Sequence, residues 1–150
     1  MTDRINSLLS NAAKRAQENG ANYFGDITPA EAWEVLQGQE NAVLVDVRTT
    51  AEQDFVGRPP GALDVPLRTY PGMLPNANFV AQVKAVTNPD QVVMFLCRSG
   101  VRSVAAAQML TAEGYTQAMN ILEGFEGDKN HEGQRRVNGW KMANLPWTQG

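Results

Sequence analysis

A chain of 150 residues with a net charge of −3 has the length of one globular domain, and its acidic balance, with no basic face apparent, argues against nucleic acid as a main partner. The single cysteine excludes an internal disulfide, and no apolar run reaches the length that spans a bilayer. The N-terminus lacks the uninterrupted apolar core of a secretory signal, so the expectation is a cytoplasmic protein with no membrane partner.

Residues 1–20 carry Ile5, Leu8, Leu9, Ala12, Ala13 and Ala16, the spacing of an amphipathic helix, closed by Asn19-Gly20. The stripe is read as packing on the domain that follows, residues 21–150, and a homodimerisation or docking arm is the alternative. Thr28-Pro29-Ala30-Glu31 has the form of a capping box with proline at the first helical position, and predicts a helix to about Gln37 with Trp33 and Leu36 inward. Ala42 to Arg48 is a short β-branched strand, with Asp46 and Arg48 at the end where parallel sheets place their sites. Thr49-Thr50-Ala51-Glu52 repeats the capping-box pattern, and Arg48 with Glu52 is the expected ion pair beside that edge.

Gly57 to Ala62 reads as a turn carrying Arg58, Leu63 to Leu67 as a short edge strand, and residues 69–78 as loop. Arg58 and Arg68 are candidates for lining the mouth of a site, with solvated surface the first reading of each. Phe79, Val83 and Val86 mark a helix that ends at Asn88-Pro89. Met119 to Leu122 is a further buried strand, followed by a glycine-rich bend, Glu123 to Asp128, of the kind that walls a neighbouring site. Trp140 and Trp147 in the tail are packing residues. His131 stands alone in its most polar part, with no spacing for a metal.

The densest signal lies between these. Val92 to Cys97 is an unbroken apolar run suited to a central parallel strand, and Val101 to about Glu113 is a strong helix former closed by Gly114. Cys97 therefore stands where a sheet ends and a helix begins. At such a junction the unpaired N–H groups of the first helical turn and the positive end of the helix dipole converge on one point. A thiolate is an anion and is favoured there, the more so beside Arg98 and Arg102. Alternating strands and helices make the fold α/β with a largely parallel sheet and helices on both faces.

The run Cys97-Arg98-Ser99-Gly100-Val101-Arg102-Ser103 resembles the active-site loop of the rhodanese family of sulfurtransferases. Leu44-Val-Asp-Val-Arg48, Glu52, Pro60-Gly61-Ala62 and Val65-Pro66 resemble that family's other signature, and Gly139-Trp140-Lys141 with Leu145-Pro146-Trp147 resembles the closing segment of single-domain members. The resemblance implies a small, doubly wound, five-stranded sheet, with the N-terminal helix as an addition. It implies sulfur transfer: Cys97 takes a sulfane sulfur from a donor such as thiosulfate and yields it to cyanide or a thiol, with a covalent persulfide in place of a cofactor. Arg98, Ser99, Gly100, Val101 and Arg102 are then the substrate-binding loop, and Asp46, Arg48, Glu52 and Arg58 its supports. With no second cysteine the acceptor comes from outside, as a small thiol, cyanide or a sulfur-relay protein.

Two other classes stay open. Cysteine phosphatases and arsenate reductases share the strand-loop-helix plan, but their Cys–Arg spacing is one residue wider, and a phosphoryl group asks for more donors. A rhodanese-fold docking or regulatory module is the third, against which the retained Cys97 and both arginines argue.

Overall fold

The computed structural model describes residues 3–69 and 72–149. Its elements are α1 (Asp3–Glu18), β1 (Gly25–Ile27), α2 (Pro29–Gly38), β2 (Ala42–Asp46), α3 (Thr50–Val56), β3 (Leu63–Asp64), β4 (Arg68–Thr69), β5 (Leu74–Pro75), α4 (Phe79–Val86), β6 (Val92–Leu96), α5 (Val101–Ala112) and β7 (Gln117–Ile121). Five strands pair in parallel in the order β1-β7-β6-β2-β3. This is the α/β architecture expected, with the N-terminal helix added to it.

The central strand β6 shows how two layers of helices are held. Every one of its residues is buried. Because a strand turns successive side chains to opposite faces, Val92, Met94 and Leu96 join one core while Val93, Phe95 and Cys97 join the other. The first core contains α1, α2, Phe125 and Trp140, and the second contains α4 and α5. Cys97 thus belongs to the α5 side by simple parity.

Local signals explain the helix starts. In α2 the Thr28 side chain accepts the Glu31 N–H while Glu31 accepts the Thr28 N–H, and Thr49 and Glu52 repeat this at α3. The inner face of α2 is Ala32 and Val35 rather than Trp33 and Leu36, which are only partly buried against the same core. Trp33 meets the fully buried Trp140 edge to face, with centroids 6.0 Å apart.

Ile5, Leu8, Leu9 and Ala12 of α1 are buried in this chain's own core, and Ala16 is buried with them. Each large member contributes about 1.5–3 kcal/mol by leaving water, as an upper bound. Close approach depends on Gly25, where a Cβ would lie 3.1 Å from Ala12 and from Met119 Sδ.

Two features escaped the sequence reading. Gly25–Ile27 is a strand at the sheet edge, although Asp26-Ile27 reads as the lead-in to a helix. The stretch read as loop from residue 69 begins in a hairpin, Arg68 opposite Pro75 and Thr69 opposite Leu74. Its Tyr70 and Pro71 lie outside the described residues. Two-residue strands bear too few side chains to show a period. In α4, Val86 is half exposed, so only Phe79 and Val83 of the expected triplet are core.

Candidate active site

The loop after β6 brings its backbone back toward the sulfur it has just placed. Gly100 has φ of 105°, a conformation open to glycine, and its N–H donates to Cys97 Sγ at 3.0 Å. Cys97 itself is 1% exposed, so the sulfur lies at the bottom of the loop rather than on its rim. A second contact comes from Ser103 in the first turn of α5, whose Oγ lies 3.3 Å from Sγ. Ser103 lies outside the run of loop residues 98–102 that the sequence marks for substrate binding, yet its hydroxyl is the one beside the sulfur.

The bend after β7 forms the opposite wall, as its glycines suggested. Phe125 N–H donates to the Cys97 carbonyl at 2.8 Å, and the Glu126 and Gly127 N–H groups donate to the Arg98 carbonyl. Gly124 (φ of 69°) lies so close that a Cβ there would be 2.5 Å from the Arg98 carbonyl carbon. In turn Trp140 N–H donates to the Gly124 carbonyl at 2.9 Å, so the C-terminal segment braces the bend.

The two loop arginines have different fates. Arg102 is bound at both nitrogens by Glu52, at 2.7 and 2.8 Å, with both side chains under 15% exposed. Burial works against the ionised Glu52 carboxyl, yet Arg102 and the Thr49 backbone N–H outweigh it and hold its pKa down at about 2. Burial likewise opposes the Arg102 charge, and the Glu52 bonds, with a smaller contribution from Cys97, raise its pKa all the same. Arg98 points outward, 47% exposed, with Glu126 at 3.1 Å. Arg98 is therefore the loop guanidinium in contact with solvent, while Arg102 is a fixed positive wall. Val101, between them, is exposed.

The expected Arg48–Glu52 pair does not form. Arg48 is fully buried and doubly bonded to Asp46, through Nε at 3.0 Å and NH2 at 2.8 Å, with a further bond to the Gly57 carbonyl. Its guanidinium lies 4.3 Å from the Phe125 ring centroid. Residues two apart on a strand end can face each other once the chain leaves the sheet, which frees Glu52 for Arg102. Removing either partner of a pair this deep costs roughly 3–5 kcal/mol. Arg58, expected beside the site, is held at the surface by Asp54 and Asp64. Arg68 lines a groove with Thr49, Thr50, Ala51, Pro66 and Thr69. His131 is 91% exposed.

Behind Ser103 runs a buried chain that the sequence reading missed entirely. Ser103 Oγ donates to Asn120 Oδ1 at 2.6 Å, Asn120 Nδ2 donates to Asp26 Oδ1 at 3.0 Å, and Tyr23 OH donates to the same oxygen at 2.7 Å. Asp26 and Asn120 are register partners in neighbouring strands, which puts both on one sheet face. A polar Asn120 inside the apolar run from Met119 to Leu122 was the available signal, since a buried amide demands partners.

Among the described residues no helix is long and apolar enough to cross a membrane. A rhodanese-like domain profile matches residues 28–131. The chain is 32% identical over 123 residues to the thiosulfate sulfurtransferase GlpE of Actinobacillus succinogenes, covering 82% of this chain and 89% of that one. It is 38% identical over 125 residues to the uncharacterised protein RP600 of Rickettsia prowazekii, covering 81% and 95%. The crystal structure of Rv0390 from M. tuberculosis superimposes with a TM-score of 0.79 at 44% identity, over 86% of this chain and all of that one. These matches support sulfur transfer at the level of the family, and the chain belongs to the rhodanese-like domain family.

Proposed function

We propose that the protein is a sulfurtransferase in which Cys97 carries the sulfur. The Cys97 thiolate attacks the outer sulfur of a donor such as thiosulfate. A sulfur–sulfur bond forms to Cys97, the donor's own sulfur–sulfur bond breaks, and sulfite leaves with the electron pair. An acceptor thiolate or cyanide then attacks the outer sulfur of the persulfide, and Cys97 departs as thiolate. One difficult transfer becomes two easier ones, with the persulfide in the role a cofactor would otherwise fill.

The observation that carries this reading is the Gly100 N–H aimed at Sγ at 3.0 Å, at the head of α5 and beside the Arg102 charge. Those donors favour an anionic sulfur without asking the loop to rearrange. Arg98 meets the dianionic donor from the solvent side. The persulfide extends the recessed sulfur outward by about 2 Å, toward an external acceptor. Acceptors are a small thiol, cyanide or a partner in a sulfur relay, since the chain has no second cysteine. A reducing compartment such as the cytoplasm keeps Cys97 competent between cycles. The narrow Cys97–Arg102 loop suits one sulfur better than a tetrahedral oxyanion.

The test is intact mass after incubation with thiosulfate. One sulfur atom should be gained, and cyanide should remove it as thiocyanate; Cys97→Ser should show neither event. Wild-type protein that takes no sulfur from thiosulfate, polysulfide or a low-molecular-weight persulfide would sink the proposal in favour of a docking role.

A further inference from the structure

The buried chain behind the sulfur has a direction, and that direction is set far from the loop. Asp26 Oδ1 already accepts the Tyr23 hydroxyl proton at 2.7 Å, so the group that Asn120 turns toward the same oxygen is the amide Nδ2, at 3.0 Å. Asn120 therefore presents Oδ1 to Ser103, at 2.6 Å, and an amide oxygen can only accept. The single Ser103 proton is committed to that bond. What Ser103 Oγ offers Cys97 Sγ at 3.3 Å is a lone pair. Turning Asn120 around would set its oxygen against the Asp26 carboxylate. Turning Ser103 alone would leave a buried amide oxygen unpaired, which is costly where no water reaches.

We infer that Asp26 and Asn120 are positioning residues that hold Ser103 as a hydrogen-bond acceptor toward Cys97, keeping the resting sulfur a thiol until the Ser103 hydroxyl turns. The bond partner on one side of the sulfur, Gly100 N–H, favours the anion, and the partner on the other side opposes it. The sulfur is thus poised rather than fully activated. Donor binding, which brings negative charge and displaces solvent, or the formation of the persulfide, is where the hydroxyl reorients.

The added N-terminal helix secures the far end of this chain. Arg15 of α1 donates to the Asp26 carbonyl at 3.0 Å, while its guanidinium pairs with Glu31 of α2, and Asn19 reaches Asp26 Oδ2 at 3.5 Å. Around Asp26 the titratable and charged neighbours are thus Tyr23, Arg15 and, through Arg15, Glu31. Around the sulfur the facing charge is Arg102, already matched by Glu52. Burial and the Asp26 bond both raise the Tyr23 pKa, so its phenol stays a donor to the carboxylate throughout the neutral range.

The inference rests on Cys97 as the reacting sulfur only for its consequence in turnover. Its geometry is tested without any sulfur donor, by the pH dependence of iodoacetamide alkylation followed by intact mass. Cys97 is the chain's one cysteine, so the signal has a single source. Ser103→Ala removes the acceptor of the thiol, and should move the acid limb of the alkylation profile to lower pH by about one unit, roughly tenfold in rate on that limb, with the high-pH plateau unchanged. Asp26→Asn can donate to Asn120 and reverse the whole chain, so that Ser103 donates to the thiolate. It should shift the limb in the same direction, and in a Ser103→Ala background it should add nothing. Tyr23→Phe leaves Asp26 an acceptor and should lower stability without moving the limb.

A limb displaced to higher pH in Ser103→Ala would show the hydroxyl donating to the thiolate and overturn the inference. So would a raised plateau with an unmoved limb, which reports access alone, or an Asp26→Asn effect of equal size with and without Ser103. Where Asp26→Asn fails to fold, the sign for Ser103→Ala decides. A correct alkylation pattern in a protein that takes up no sulfur would leave this inference standing and remove the proposed activity.

Discussion

Glu52 and Arg102 are fifty positions apart in sequence and joined by two bonds of 2.7 and 2.8 Å. The same carboxylate caps α3 by accepting the Thr49 N–H at 3.1 Å. One side chain thereby ties the start of α3 to the first turn of α5, across the β2–β6 pair between them. It also fixes the orientation of a positive charge beside Sγ, which a lone arginine with several rotatable bonds would not hold. The consequence for the site is a division of labour in which Arg102 is scaffold and Arg98 is the charge that faces solvent.

Breaking this pair tests its weight and its pH range. Glu52→Gln keeps the shape and loses the charge, and should lower stability by roughly 2–3 kcal/mol at neutral pH. Because folding depresses the Glu52 pKa from 4.5 to about 2, its contribution is fully present above about 4.5 and is lost as pH falls toward 2. The difference between wild type and Glu52→Gln in urea unfolding should therefore shrink through that window and vanish at its acid end. A constant difference from pH 7 to pH 2 would assign the loss to packing.

Arg98→Ala should act on the donor and spare the fold. Its partner Glu126 is on the rim and such pairs contribute little, so stability should change by no more than about 0.5 kcal/mol. Steady-state assays should show the KM for thiosulfate rising about tenfold, with a smaller change for an uncharged sulfur donor, as fits loss of one partly exposed charge contact. Equal losses for charged and uncharged donors would place the role of Arg98 in loop shape instead.

Leu8→Ala probes the added helix. Leu8 is 3% exposed within the core that also holds Ile27, Val35 and Met119, and truncation should cost about 3 kcal/mol. Calorimetry should show a lower Tm, and light scattering an unchanged mass. A change of mass with an unchanged Tm would mean that α1 serves association instead of packing on this domain.

Much of this protein is legible residue by residue. The amphipathic stripe of α1, both capping boxes, the apolar run of β6, and the junction that holds Cys97 are local patterns, because caps and periodicity are satisfied by neighbours within a few positions. Loop composition likewise marked the bend from Glu123 as a wall. Tertiary structure alone decided the partners. Arg48 chose Asp46 over Glu52, Ser103 came to lie beside the sulfur, and Asp26 and Asn120 became neighbours through strand register across 94 positions. The physical reason is common to all three. A buried polar group takes whichever complementary atom the packing of distant elements brings within about 3 Å, and no local pattern records which atom that is.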